Sequence, residues 1–538
     1  MALSSAVIRG AAPRDEIVCR RFRFMKTAEA IARPTAASNI APVDHGAELK
    51  RGALVNTIAL LASNFRGIFT FLVARLLGPA ALGTYLVAWA TIEVLSKISL
   101  FGLDNTIIAF IARSEAAGDR ARSHALFRLA VCLALLQSIV IAVASMIAVR
   151  LFGYRLSLDR QLGSALSIML CALPGLALYY INTAISRGMK VMRHDIFSRG
   201  ITQSTVTSVA FLLALAVGLQ TFAPAFAAVA GTAASGIVAL ALAWSLFRTG
   251  PMRPAGFSYR AEAVRLLSYA ANISAYDVLN ALIVRMDVIM LACFIGRAPG
   301  VTLPVVGIYG AVVEVAGGLR KVNQAFNPIF APVVAGMTVH GEQQRAAAAF
   351  SQVAQWMLWI LLPLLAVMTF AGGTILSIYG PAFRRGSTWL IIVAIACGTN
   401  AFVGLAETVI MVQKPRVNIL NSSITCVVAF IANLFLIRSF GVMGAAFGIL
   451  LPYVLLGILR HRALRSVFGW RSPWANIGPP FNAALVALAP AIVCRAITSG
   501  VIGEISSSVV FLGAYFIAWR YHRARNPPRA GAIQMSSM

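Results

Sequence analysis

The chain has 538 residues, 59% of them hydrophobic and only 12% charged, where a soluble protein of this length carries about 25% charged residues. Lys and Arg number 46 against 18 Asp and Glu, a formal net charge of +28. Apolar runs of roughly 20 residues recur from end to end; they exclude a soluble fold, and also a membrane β-barrel, whose strands would be short and alternating.

Residues 1–50 are polar and Arg-rich, contain Pro34 and Pro42, and hold no apolar run of signal-peptide length, so they read as a disordered cytoplasmic tail. Fourteen apolar spans follow, at 52–76, 81–101, 124–149, 162–185, 197–219, 224–247, 267–294, 305–334, 349–378, 387–411, 418–437, 442–460, 480–499 and 502–520. The fold class is therefore an all-α polytopic membrane protein. With the tail in the cytoplasm, inside segments collect 28 Lys and Arg, outside loops 7, and the spans themselves 11. That bias obeys the positive-inside rule and places both termini in the cytoplasm, although Arg150, Arg155 and Arg160 run against it. The basic excess thus faces anionic lipid, and nucleic acid is excluded as a partner. Seven cysteines make no CxxC pair and six histidines no ligand pattern, so neither a metal nor another cofactor is expected.

Ionisable groups at membrane depth are costly and usually face a partner or a watery path. In the first span Arg66 shares a face with Asn56, Ser63 and Thr70, which points it at a cavity, while Arg75 at the span's outer end snorkels or caps. In the second, Glu93, Lys97 and Asp104 fall at i, i+4 and i+11, one narrow stripe of a continuous helix. Glu93 and Lys97 either neutralise each other or meet substrate, and Lys97 near Gly102 also fits a snorkelling residue. In the seventh, Asn272, Tyr276, Asn280 and Asp287 share a sector. Arg285 lies nearly opposite Asp287 and should not pair with it, and Asp277, outside the sector, is the candidate for cation or proton coupling. The eighth carries two stripes: Arg320, Gln324 and Asn327, suited to a phosphate or sugar headgroup, and Glu314 with Lys321, an ion-pair brace. Gly317-Gly318 marks a bend there. Asn400 and Glu407 in the tenth span read as glue between helices. The loop and edge charges Arg113, Arg120, Arg122, Arg187, Lys190, Arg193, Arg460, Arg462 and Arg465 read as topology determinants.

An internal repeat appears at an offset near 224: Gly83-Thr84-Tyr85 falls on Gly307-Ile308-Tyr309, and Lys190 falls on Lys414. Both copies begin inside, so the repeat is parallel. The expected organisation is a tail at 1–50, a six-helix lobe at 51–250, a linker at 251–264 and a second six-helix lobe at 265–465. Two extra helices at 466–520 and a cytoplasmic tail at 521–538 complete it.

The strings Ala74-Arg75-Leu76-Leu77-Gly78-Pro79, Gly83-Thr84-Tyr85 and Leu100-Phe101-Gly102-Leu103 come in order with Asp287-Val288-Ile289-Met290-Leu291, Val306-Gly307-Ile308-Tyr309, Asn327-Pro328 and Gly441-Val442-Met443-Gly444-Ala445-Ala446. Together they resemble the polysaccharide flippases for O-antigen and exopolysaccharide, within the multidrug/oligosaccharidyl-lipid/polysaccharide exporter superfamily, over about residues 50–465. The resemblance implies two six-helix lobes plus two added helices. The activity it implies is movement of an undecaprenyl-diphosphate-linked oligosaccharide across a bacterial inner membrane for surface polysaccharide, with no bond made or broken. Membrane lipid and a polysaccharide polymerase or co-polymerase would be its other partners. It also implies that the first, second, seventh and eighth helices line a central cavity whose basic residues meet the diphosphate, here Arg66, Lys97, Arg285, Arg320 and Lys321. Two rivals remain: a multidrug or cation antiporter of the same superfamily, which five basic candidates disfavour, and a membrane glycosyltransferase or polymerase. The latter needs a catalytic platform that outer loops of about a dozen residues do not supply.

Overall fold

A computed structural model describes residues 65–153, 160–247, 257–339, 342–470 and 474–525; these are helical with short connections and contain no strand. Helices are the open-ended way to satisfy every backbone N–H and C=O inside lipid. In chain order they are α1 Phe65–Leu100, α2 Leu103–Ala116, α3 Arg120–Phe152, α4 Arg160–Leu170, α5 Ala172–Gly188, α6 Ser204–Ala216 and α7 Ala223–Ser245. There follow α8 Tyr259–Cys293, α9 Leu303–Gly317, α10 Arg320–Val339, α11 Gln343–Phe370, α12 Ser387–Gln413, α13 Pro415–Phe468, α14 Trp474–Ile497 and α15 Gly500–Arg525. The 1–50 tail, the 251–256 linker stretch and the C-terminal tail from 526 lie outside the described residues, as do Asn56 and Ser63.

Among the described residues nine helices are long and apolar enough to cross a membrane, or ten when α4 and α5, bent by 42° at Cys171, are taken as one span. The fourteen spans expected from sequence divide this set more finely. Two of the nine are interrupted at a single non-helical glycine, α1 at Gly78 (φ 80, ψ −176) and the 54-residue α13 at Gly441 (φ 57, ψ −129). At 1.5 Å per residue α13 would be about 80 Å long, more than twice a bilayer core, so it must fold back. At Gly444, just past the break, an added Cβ would lie 1.9 Å from the Leu436 carbonyl oxygen. The helix pair is thus a closed hairpin. Neither α6 nor α8 is among the nine, and α8 carries Asp277, Arg285 and Asp287 along its length.

The two halves of the chain meet where the repeat pairs them. A Cβ on Gly307 of α9 would stand 1.8 Å from the Pro79 carbonyl oxygen, and one on Gly83 of α1 would stand 2.6 Å from that of Leu303. Repeat-equivalent glycines therefore let α1 and α9 touch backbone to backbone. Around this contact one apolar core runs through both halves, with Phe69, Ile92, Tyr309, Leu390 and Tyr453 all buried. A smaller core joins α14 and α15 to α11 through Ala366, Ala487, Ala491, Phe511 and Tyr515. The buried Glu504 fixes this pair to the C-terminal half, accepting from Thr374 N at 2.6 Å, Thr374 Oγ1 at 2.7 Å and Arg384 Nη2 at 2.5 Å.

Candidate functional site

Between the halves lies a cavity of about 810 Å³ walled by α1, α8, α9, α10 and α12, with contributions from α5, the segment before α6, and α7. Lys97, Arg199, Arg285, Arg320 and Lys321 supply its cations; Glu93, Asp277, Glu314 and Glu407 supply its carboxylates. Amides line it too: Asn280, Asn323, Gln324, Asn327 and Asn400.

Arg285 of α8 is shared by two acids. Its Nε lies 2.5 Å from Glu93 Oε2 across the halves, and its Nη1 lies 3.3 Å from Glu314 Oε1. Glu93 therefore pairs with Arg285, not with its helix neighbour Lys97. Lys97 turns instead to Asp104, 3.1 Å away, and sits 4.7 Å from the centre of the Tyr180 ring. The stripe expected of a continuous helix is broken, because α1 ends at Leu100 and Phe101 and Gly102 take left-handed φ of 49° and 72°. The turn starts α2 at Leu103 and brings Asp104, in its first turn, back toward Lys97. Glu314, the acid of the expected brace with Lys321, lies against Arg285 as well.

Asp277 lines the cavity and accepts from Asn105 Nδ2 at 2.8 Å. Asp287 does not reach the cavity: it is 1% exposed and accepts from Tyr309 Oη at 2.8 Å. The polar sector read on α8 is therefore split, since Asn280 faces the cavity while Tyr276 and Asp287 are buried. The side chains of Arg66 and Asn272 lie outside the described residues; Thr70, on the face expected to hold Arg66, does line the cavity.

The chain breaks after Gly317 and resumes at Arg320, at the expected glycine pair, and the new helix turns Arg320, Lys321, Gln324 and Asn327 to the cavity. Buried Nη1 of Arg320 has no hydrogen-bond partner among the described residues. Asn327 Oδ1 accepts from Thr408 Oγ1 of α12 at 3.0 Å.

Three features escaped the sequence reading. Arg199 enters the cavity from a π-helical stretch, Ile196–Gln203, and packs 5.7 Å from the Tyr179 ring. Its signal was present: Arg199, Gln203 and Thr207 recur at i, i+4 and i+8, and all three line the wall. Asn400 and Glu407 line the cavity, and Glu407 also joins α12 to α13 through Arg460, as expected of glue between helices. Behind Glu407, Arg460 is a buried counter-ion 2.8 Å away and not a loop charge, and Arg122 bridges to Glu262 of α8 at 2.7 Å.

Residues 49–335 match the family model for polysaccharide biosynthesis proteins, more than half of the chain. The chain belongs to that family. Among curated proteins, this polysaccharide biosynthesis protein is similar to a probable low-salt glycan biosynthesis flippase, Agl15, of Haloferax volcanii, with 24% identity covering 77% of this chain and 82% of that one. Among solved structures, an inward-facing MATE family multidrug resistance transporter of the MOP superfamily matches with a TM-score of 0.65 at 12% identity, covering 78% of this chain and 98% of that one. The lipid II flippase MurJ in an inward closed conformation matches at 0.62 and 11%, covering 88% and 99%. At these identities the two structures speak for the fold, which is that of the MATE and MurJ transporters.

Proposed function

We propose that this protein is a flippase that carries an undecaprenyl-diphosphate-linked oligosaccharide from the inner to the outer leaflet, for assembly of a surface or secreted polysaccharide. The observation that carries the reading is Arg320, a cavity guanidinium with a buried Nη1 that has no hydrogen-bond partner among the described residues. A diphosphate leaving the headgroup layer needs fixed positive charge in low dielectric, and guanidinium offers planar, paired donors to it. The cavity's balance supports an anionic cargo. Of its four carboxylates, Glu93 and Glu314 sit against Arg285 and Glu407 against Arg460. A cation antiporter would instead present its acids to the cargo. The family, and a glycan flippase among the relatives, favour the same reading.

The two halves would rock about the cavity, moving the glycan with no bond made or broken, so this is transport and not enzyme chemistry. The membrane would be a bacterial inner membrane with both termini cytoplasmic, and a polymerase would consume the cargo outside. Arg320→Ala should abolish polymer export while leaving the protein's abundance in membranes unchanged. Full export by that variant would contradict the reading.

A further inference from the structure

The flippase reading leaves open which wall meets the sugar. We infer that α10 and α12 form a saccharide subsite made of Asn323, Asn327, Asn400 and Glu407, and that it takes an uncharged, hydroxyl-rich sugar next to the diphosphate. All four residues line the cavity. Asn323 and Asn327 are one turn apart on α10; Asn400 and Glu407 are two turns apart on α12, on the same face as Gly404.

The wall is built from behind. Thr408 donates to Asn327 Oδ1 at 3.0 Å, which leaves the Asn327 amide nitrogen to donate elsewhere. Gly404 gives the Asn323 amide its place, since a Cβ there would lie 2.2 Å from Asn323 Nδ2. Asn323 Oδ1 is buried without a hydrogen-bond partner among the described residues, an acceptor in want of a donor. Arg460, beneath Glu407 at 2.8 Å, holds that carboxylate in position and cancels its charge.

These groups discriminate among ligand chemistries. A phosphate only accepts, so the carboxylate of Glu407 repels it; an organic cation gains little from an acid already matched by Arg460. A sugar hydroxyl both donates and accepts, as amides do, and a vicinal pair can donate to a carboxylate while accepting from an amide. Arg320 lies three residues before Asn323, about 5 Å along α10, so a diphosphate on Arg320 would set its first sugar against this wall. Thr408 and Arg460 are positioning residues; the other four would touch the sugar.

The test rests on the flippase reading and separates its failure from that of the subsite. Full-chain protein in nanodiscs is titrated with undecaprenyl diphosphate and with undecaprenyl-diphosphate-N-acetylglucosamine. The wild type should prefer the sugar-bearing lipid by about tenfold, the worth of two or so net hydrogen bonds. Asn323→Leu and Asn327→Leu should each bring that ratio close to one, and a thermal melt close to the wild type's reports on folding. Thr408→Val should lower the ratio and Thr408→Ser restore it. A wild type that binds both lipids equally, or asparagine variants that keep the preference, would overturn the subsite and leave the flippase reading intact. Failure of the wild type to bind either lipid would count against the flippase reading, and the subsite with it.

Discussion

Arg460 is the largest fully buried side chain among the described residues, at 1% exposure, and its one ion pair is with Glu407. Its Nε and Nη1 have no hydrogen-bond partner among those residues, so the charge depends on that single carboxylate. Removing one member of a buried pair strands the other, at about 3–5 kcal/mol, whereas replacing both with apolar side chains is often neutral. Glu407→Ala should therefore lower the melting temperature of the detergent-solubilised protein markedly, and Glu407→Leu combined with Arg460→Leu should recover most of the loss. A double variant as unstable as the single one would show that the pair's net attraction, not the stranded charge, sets the cost. Arg460 could not be read from sequence as anything but an edge charge, because its partner lies 53 positions away on another helix. Arg285 was more legible. Helix geometry alone placed it opposite Asp287, and it indeed turns to Glu93 and Glu314 while Asp287 turns to Tyr309. What helix geometry could not supply was the identity of partners across the halves.

At the scale of elements, breaks in helices decide where charges go, and glycine decides the breaks. Gly102 has φ of +72°, and a Cβ there would lie 2.7 Å from the Ala270 carbonyl oxygen of α8, so both its conformation and its space are used. Gly102→Ala should cost at least about 1–2 kcal/mol for the left-handed backbone alone, and more for pushing α8 from the end of α1. Gly163→Ala, where nothing lies within 4 Å and the residue sits inside α4, should instead gain about 0.5–1 kcal/mol. Thermal melts of the two variants should move in opposite directions; a stabilising Gly102→Ala would rule out this explanation of the break. The Gly317-Gly318 bend was legible because paired glycines interrupt an apolar span. The end of the second span, expected at 101, falls within a residue of the helix end at Leu100; what was not legible is the sharp turn into α2, since Phe101 is a side chain that rarely adopts its φ of 49°. The π-helical register before α6 was hidden for a related reason, since a stripe at i, i+4 and i+8 looks the same in either helix until the backbone is seen.

For the whole molecule, α8 is the element that ties the halves along their length. Glu262 meets Arg122 near one end, Asp277 meets Asn105 farther along, and Arg285 meets Glu93 beyond that, a run of 23 residues or about 35 Å. At the far end α1 and α9 touch through Gly83 and Gly307. Rocking of one half on the other must part some of these contacts, and polar pairs around water part more cheaply than a buried apolar seam. Orientation follows from charge: reporter fusions after Arg248 and Arg525 should both report cytoplasm, and a periplasmic signal at either would reverse the proposed route. The class of protein, its helical nature and the rough place of its spans were all legible because 59% hydrophobic residues in 20-residue runs leave few alternatives. The cargo is decided by a cavity that only folding assembles. The most direct measurement is a deletion strain examined by mass spectrometry for undecaprenyl-diphosphate-linked repeat units, alongside its surface polysaccharide. Loss of polymer with complete repeat units accumulating on the inner leaflet is the expected result; unchanged polymer and unchanged lipid intermediates would contradict the flippase function.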